Sequence, residues 1–263
     1  MILMFGDIHG SFKHVNQLVK THKPAAIILL GDIEADQSLE KKLDQVMSLT
    51  EVYWIYGNHD VDESRFYDNL FSSKLDDRNL HGRVVEIDGH KVAGLGGVFD
   101  QLSWYPKHDV DAEPLHDNYE GLMSALHEKL IARSAYASTN KEQARESYEN
   151  NQLKHKCTIF YEEWADLCAK RADILVTHDA PSCHPYGFLA IDELARSLRV
   201  KSSFHGHMHD RLDYSDQHQA LGFKAHGVGF RGVSDQDGNL IAKGEYDDEN
   251  ERRYLSSKRN KDK

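Results

Sequence analysis

A chain of 263 residues suits one α/β domain carrying an insertion and is long enough to bury a real core. Its net charge of −11 works against long DNA or RNA as a partner unless local cations reverse the field. No apolar run approaches the roughly 18 residues of a membrane span. Cys157, Cys168 and Cys183 form no Cys-x-x-Cys pair, which argues against a disulfide framework and for a reducing cytoplasm.

Met1–Phe5 is an apolar run closed by Gly6-Asp7, without the basic flank or cleavage pattern of a signal peptide, and reads as a buried strand. Ser11 is placed to N-cap a helix with an apolar face of Phe12, Val15, Leu18 and Val19. Ala25–Leu30 reads as a second strand, and Leu39, Leu43, Val46, Met47 and Leu49 mark a second helix. Val52–Tyr56 is a third strand. Short links between these elements imply parallel pairing with right-handed crossovers. A short helix is expected from Phe66 to Leu75. Val84–Ile87 and Lys91–Leu95 flank the hairpin signal Asp88-Gly89. Residues 100–163 change character, being polar and charged, with helices expected over Glu120–Ala137 and Lys141–Glu162. Strands return at Ala172–Val176, Val200–Phe204, Gly222–Gly229 and Leu240–Tyr246, with a helix at Phe188–Leu198. Residues 1–246 are thus expected to form the domain, with 100–163 as a helical insertion near its active edge. The mixed-charge stretch 247–263 is expected to be a flexible tail.

The chemistry sits where the apolar runs stop. The first ends in Asp7-Ile8-His9, the second in Gly31-Asp32, and the third in Gly57-Asn58-His59-Asp60. Later runs end in Thr177-His178-Asp179 and His205-Gly206-His207-Met208-His209. In a parallel sheet these C-terminal ends share one edge, where ligand sites gather. Asp7 and His9 lie two apart, as do His207 and His209, so each pair points to one side of an extended chain. Each piece alone is an ordinary loop or turn, and the joint pattern is what carries the reading. Carboxylate, imidazole and amide oxygen without thiolate suit Mn, Fe, Zn, Co or Mg rather than a cysteine-based structural zinc. The donors are too many for one ion, so two divalent cations sharing a carboxylate is the economical arrangement.

In this order, the five elements resemble the calcineurin-like metallophosphoesterases. The stretch Ala93-Gly94-Leu95-Gly96-Gly97 is also similar to that family. The resemblance implies an αββα sandwich of two mixed β-sheets flanked by helices. It implies a first metal on Asp7, His9, Asp32 and His209, and a second on Asp32, Asn58, His178 and His207, most simply Mn²⁺. His59 would face the scissile phosphate as acid or cation. Asp60 would either orient His59 or cap a turn. A hydroxide held between the cations would attack in line.

Protein phosphatases of the calcineurin branch carry an arginine after the second motif. Gly31-Asp32-Ile33-Glu34-Ala35-Asp36 has none, which puts a phosphoprotein substrate in doubt. The expected substrate is a small or nucleotide-like phosphate mono- or diester. A nuclease acting on single-stranded ends and a non-catalytic scaffold remain the alternatives. From Asn58 to His178 there are 120 residues, against 25 and 26 for the earlier motif intervals, which locates the insertion. Its Trp104, Tyr105 and Tyr119 either stack on a nucleoside base or, as preferred, anchor the insertion. Lys107, His108, Arg211 and Arg231 are candidate phosphate grips, though such residues are more often solvated charges.

Overall fold

Strands apolar on both faces must be covered on both faces. The computed structural model, which describes residues 1–136 and 141–261, shows what covers them. The elements in chain order are β1 (Ile2–Phe5), α1 (Phe12–His22), β2 (Ala26–Leu30), α2 (Leu39–Lys42), β3 (Glu51–Ile55), α3 (Ser64–Phe71), β4 (Val84–Ile87) and β5 (His90–Leu95). They continue with α4 (Tyr119–Tyr136), α5 (Lys141–Lys154), α6 (Tyr161–Cys168), β6 (Ile174–Thr177), α7 (Leu189–Leu198) and β7 (Ser202–His205). The last are α8 (His218–Leu221), β8 (Lys224–Gly227), β9 (Val233–Asp235), β10 (Leu240–Ala242) and α9 (Asp247–Lys261).

The strands form two five-stranded mixed sheets, ordered β10-β9-β1-β2-β3 and β4-β5-β6-β7-β8. β1, β2 and β3 run parallel, as do β5 to β8. The antiparallel pairings involve β9, β10 and β4. Pleating sends alternate residues to opposite faces. Ile2, Met4, Ala26, Ile28 and Leu30 meet Val92, Ile174, Val176 and Phe204 between the sheets. Leu3, Phe5, Ile27, Leu29 and Trp54 pack outward on Phe12, Val15 and Val19 of α1. Ala93, Leu95 and Leu175 pack outward on Trp164 and Leu167 of α6 and on Leu194 and Leu198 of α7. This is the αββα sandwich. No helix among the described residues is long and apolar enough to cross a membrane.

Several elements depart from the sequence reading. The helix expected to Leu49 is regular only through Lys42, although Leu43 and Val46 are still buried. Met47 and Leu49 are exposed, and Asp44, Ser48 and Thr50 are weak helix formers. The helix begun at Ser64 stops at Phe71. There the Ser73 hydroxyl donates to the Leu70 carbonyl and accepts the Leu75 N–H, replacing the helical bonds. The helix expected over Lys141–Glu162 is two helices. Ile159 N–H donates to the Val98 carbonyl, which holds Thr158–Phe160 extended before α6. Ser11 makes no side-chain cap bond to α1. Ala137, expected as the end of a helix, lies outside the described residues, as do Asp262 and Lys263. Asp247–Lys261 is helical, with three acidic residues in its first turn. Asn250 ties it to the domain by donating to the His209 carbonyl at 2.9 Å.

Trp104 does not offer its face to a ligand. It is 2 % exposed, its Nε1–H donates to the Ala112 carbonyl at 3.0 Å, and its ring packs against Phe99, Tyr161 and Trp164. Tyr119 likewise packs edge-on against Phe160 and donates to the Gln152 carbonyl. These aromatics anchor the segment between β5 and β6, neighbouring strands of one sheet. Trp104→Ala should therefore lower the unfolding free energy by about 3–5 kcal/mol in a denaturant titration. A loss below about 1 kcal/mol would contradict the anchoring role.

Candidate metal centre

The C-terminal ends of β1, β2 and β3 face those of β6 and β7, and the motif residues follow directly. His9, Asp32 and His209 place one ligand atom each within 4.8 Å of one another. So do Asp32, His178 and His207, and Asp32 belongs to both trios. Asn58 Oδ1 lies 3.2 Å from His178 Nε2. Asp7 belongs to neither trio. Its Oδ1 accepts the His207 backbone N–H at 2.9 Å.

The backbone is bent to make this meeting possible. Asp7, His9, Asp32, Glu34, His207 and His209 all have positive φ, between 31° and 63°. Such conformations are costly for residues with a Cβ, and their concentration here marks a functional site. Gly31 and Gly57 allow the close approach. A Cβ on Gly57 would lie 2.2 Å from Asp32 Oδ1 and 2.5 Å from the His178 ring.

The donors suit divalent cations. Asp7 Oδ2 and Asp32 Oδ2 are buried without a hydrogen-bond partner, an arrangement that normally calls for an ion or water. Burial pushes His207 down to about 3 and also lowers His209, so both rings are neutral and keep a lone pair to donate. His178 Nδ1–H donates to the Leu30 carbonyl at 2.7 Å, which turns Nε2 toward Asp32 at 3.3 Å. His9 Nδ1–H donates to Glu34 at 2.7 Å, which leaves its Nε2 facing Asp32 and His209. Such outer contacts fix ring orientation at metal sites. Asp32 and His178 form a buried ion pair. Burial opposes both charges. Even so, the Asp32 carboxylate raises His178 to about 10, and His178 holds Asp32 well below the usual carboxylate range. A cation would replace that proton.

A family model described as calcineurin-like phosphoesterase matches residues 1–211. The chain belongs to the calcineurin-like phosphoesterases. It is 34 % identical over 242 residues to an uncharacterized protein of Haemophilus influenzae, covering 92 % of this chain and 96 % of that one. A crystal structure of a Thermus thermophilus protein superposes with a TM-score of 0.51 at 14 % identity, covering 92 % of this chain and 97 % of the other. A crystal structure of a dimetal phosphatase from Danio rerio gives a TM-score of 0.48 at 14 % identity, covering 87 % and 86 %.

In this calcineurin-like phosphoesterase, Asp60 does not reach the His59 ring. Its Oδ1 accepts N–H groups from Ile33 and Glu34 at 2.8 Å and its Oδ2 accepts Gly57 N–H at 2.9 Å. It clamps the loops after β2 and β3 together, and burial, with the charge of Asp32, raises it to about 7. The residue that orients His59 is Asp62, which accepts Nδ1–H at 2.6 Å. Residues 59–61 form a 3-10 turn, in which residues three apart share a side, so Asp62 faces His59 while Asp60 turns inward. The sequence reading also missed Glu34, which supports His9, and Asp179, whose buried carboxyl lies 3.8 Å from His207 Nε2. Both follow a motif by one or two positions, which is the signal that points to them. Phe230 covers the His9 and His209 rings at 5.1 and 4.9 Å and has no sequence signal.

Three of the four candidate phosphate grips are engaged elsewhere. Arg231 pairs with Glu245 at 2.9 Å, Arg211 donates to the Gly238 carbonyl, and Lys107 lies over the Tyr186 ring. His108 is exposed. Half-exposed His59 stands beside the shared carboxylate, its backbone N–H donating to Asp32 Oδ1 at 2.9 Å. Burial opposes its protonation, but the Asp62 bond and the Asp32 charge outweigh that and raise its pKa.

Beneath the centre, His205 is fully buried. Its Nδ1–H donates to the Gly206 carbonyl and Nε2 accepts from the Tyr214 hydroxyl. Burial lowers it to about 4 from an ordinary 6.5. The folded state thus binds this proton less well than the unfolded state, and stability is lost as pH falls from 6.5 toward 4. Between pH 7.5 and 5 the ring should cost about 2 kcal/mol of unfolding free energy. His205→Gln should remove that part of the pH slope. Equal slopes for wild type and variant would show that His205 is not held neutral.

Proposed function

We propose that this calcineurin-like phosphoesterase hydrolyses phosphate mono- or diesters of a small, nucleotide-like organic group, using two divalent cations. The observation that carries the reading is the sharing of one buried carboxylate, Asp32, by two donor trios. Asp7, His9, Asp32 and His209 would hold one ion, and Asp32, Asn58, His178 and His207 the other. Oxygen and imidazole donors favour Mn²⁺, with Fe, Zn, Co or Mg as substitutes. Bound there, such cations lower the pKa of water and neutralise phosphate oxygens.

The protein's own groups complete the chemistry. His59 has Nδ1 committed to Asp62, so Nε2 is the atom left to meet the phosphate or the leaving oxygen. With its pKa raised, the ring holds a proton it can share with that oxygen or give up to it. Asp62 keeps the ring oriented and favours its protonated form. Asp60 holds the Asp32 and Asn58 loops in register. The net charge of −11 favours a small substrate over a polyanion.

The test is hydrolysis of p-nitrophenyl phosphate and bis-p-nitrophenyl phosphate by metal-stripped protein, with and without Mn²⁺, beside Asp32→Asn. Turnover should require the metal and fall at least about 100-fold in the variant. The preferred ester then separates monoesterase from diesterase. Retention of full turnover by Asp32→Asn, or failure of the wild type to bind metal, would overturn the reading.

A further inference from the structure

The first donor set is steadied from a distant part of the chain. His209 has a φ of 55°, a left-handed conformation that is strained for a residue with a Cβ and persists only where its surroundings enforce it. The Asn250 side-chain amide, 41 positions on, donates to the His209 carbonyl at 2.9 Å. Phe230 packs against the His209 ring at 4.9 Å between centroids and against the His9 ring at 5.1 Å. Tyr246 in turn stacks on Phe230 at 4.8 Å, with the planes 21° apart.

Residues 244–247 fasten the Phe230 loop. Glu245 N–H donates to the Phe230 carbonyl at 2.9 Å, and the Glu245 carboxylate pairs with Arg231 at 2.9 Å. Arg231 reaches both sides of Asp7, its backbone N–H donating to the Gly6 carbonyl at 3.1 Å and its Nε–H to the Ile8 carbonyl at 3.4 Å. Asp247 Oδ2 accepts Gly244 N–H at 2.8 Å, and a Cβ on Gly229 would lie 2.0 Å from Asp247 Oδ1, so the turn is closely packed. These contacts lead to the backbone around Asp7 and to the rings of His9 and His209. The second set is held from other quarters. The Leu30 carbonyl of β2 fixes His178, and Asp60 fixes the loop of Asn58. Outer contacts of this kind orient ligands and tune metal affinity.

We infer that residues 244–250 are a positioning clamp for the first cation, Tyr246 acting through Phe230 and Asn250 through the His209 backbone. The clamp sets how tightly Asp7, His9, Asp32 and His209 hold their ion and leaves the ion of Asp32, Asn58, His178 and His207 to its own supports. The inference rests on the proposed function for the presence of two ions. It gives the start of α9 a part in the metal centre without supplying a ligand.

Metal binding can be read without turnover. Mn²⁺ would be titrated calorimetrically into the metal-stripped full chain, with electron paramagnetic resonance separating an isolated bound Mn²⁺ from a coupled pair. Asn250→Leu removes the amide donor at similar size, Tyr246→Ala removes the ring behind Phe230, and Tyr246→Phe keeps that ring. Melting curves of the metal-free proteins would establish that each is folded. The wild type should bind two ions. Asn250→Leu and Tyr246→Ala should each weaken one of them about 10–100-fold, so that an isolated-ion signal appears at Mn²⁺ concentrations that give the wild type its coupled pair. Tyr246→Phe should bind as the wild type does. In a His209→Ala background, where the first set is already broken, Asn250→Leu should leave the affinity of the remaining ion unchanged. Equal weakening of both ions, unchanged affinity in either folded variant, or a further loss in the His209→Ala background overturns the clamp. A wild type that binds fewer than two ions overturns the two-cation reading and the clamp with it. Selective weakening of one ion without turnover of any ester keeps the clamp and removes the reaction. Metal-dependent turnover with both ions held alike by wild type and variants removes the clamp and keeps the reaction.

Discussion

A single buried carboxylate organises this molecule. Asp32 is 1 % exposed, accepts one backbone N–H from His59, and leaves its second oxygen without a partner. An ionised carboxylate in such a place is strongly unfavourable unless positive charge is supplied. His178 supplies it within the chain, and the geometry around Asp32 leaves room for divalent cations to do so from outside. Much of the local backbone serves this arrangement. Gly31 and Gly57 have no Cβ where one would collide with His178 or Asp32, and six residues with side chains accept positive φ around them. Strain of this kind persists only where the surrounding structure enforces it.

The enforcement comes from the two sheets. The inter-sheet core of Ile2, Met4, Ile28, Val176 and Phe204 sets how closely the strand ends approach. Buried polar groups then lock the loops beyond it. Asp60 joins the loops after β2 and β3, the Leu30 carbonyl aims His178, and Glu34 aims His9. None of these contacts needs to touch a substrate. They make the donor positions rigid before any ligand arrives, which is what a metal site requires of its supporting groups.

The insertion is an extension of the site's walls. Its aromatic anchors bury Trp104 beside Tyr161 and Trp164, while α5 brings Asn150, Leu153 and Lys154 over the loop that carries Asn58. The αββα frame presents the metal-binding edge, and the added helices shape what lies next to it.

Much of this was legible in the residues. Asp7, His9, Asp32, Asn58, His178, His207 and His209 all stand directly after apolar runs, and parallel pairing brings such positions to one edge. Strand periodicity and short links carry that information locally. Other features depended on partners distant in the chain. β9 is three residues long and exists by pairing with β1, so no local pattern announces it. The helix at Asp247–Lys261 meets the domain where Asn250 donates to the His209 carbonyl. Composition could not divide the work between Asp60 and Asp62, because a 3-10 turn decides which carboxylate faces His59. Nor could it show whether Trp104 was buried or available. The sequence alone determined the donor types, their order and the strands that carry them, because these follow from local residue chemistry and spacing. Only the tertiary structure decided which donors share Asp32, which groups aim them and what lies beside them, because those contacts join residues up to 200 positions apart.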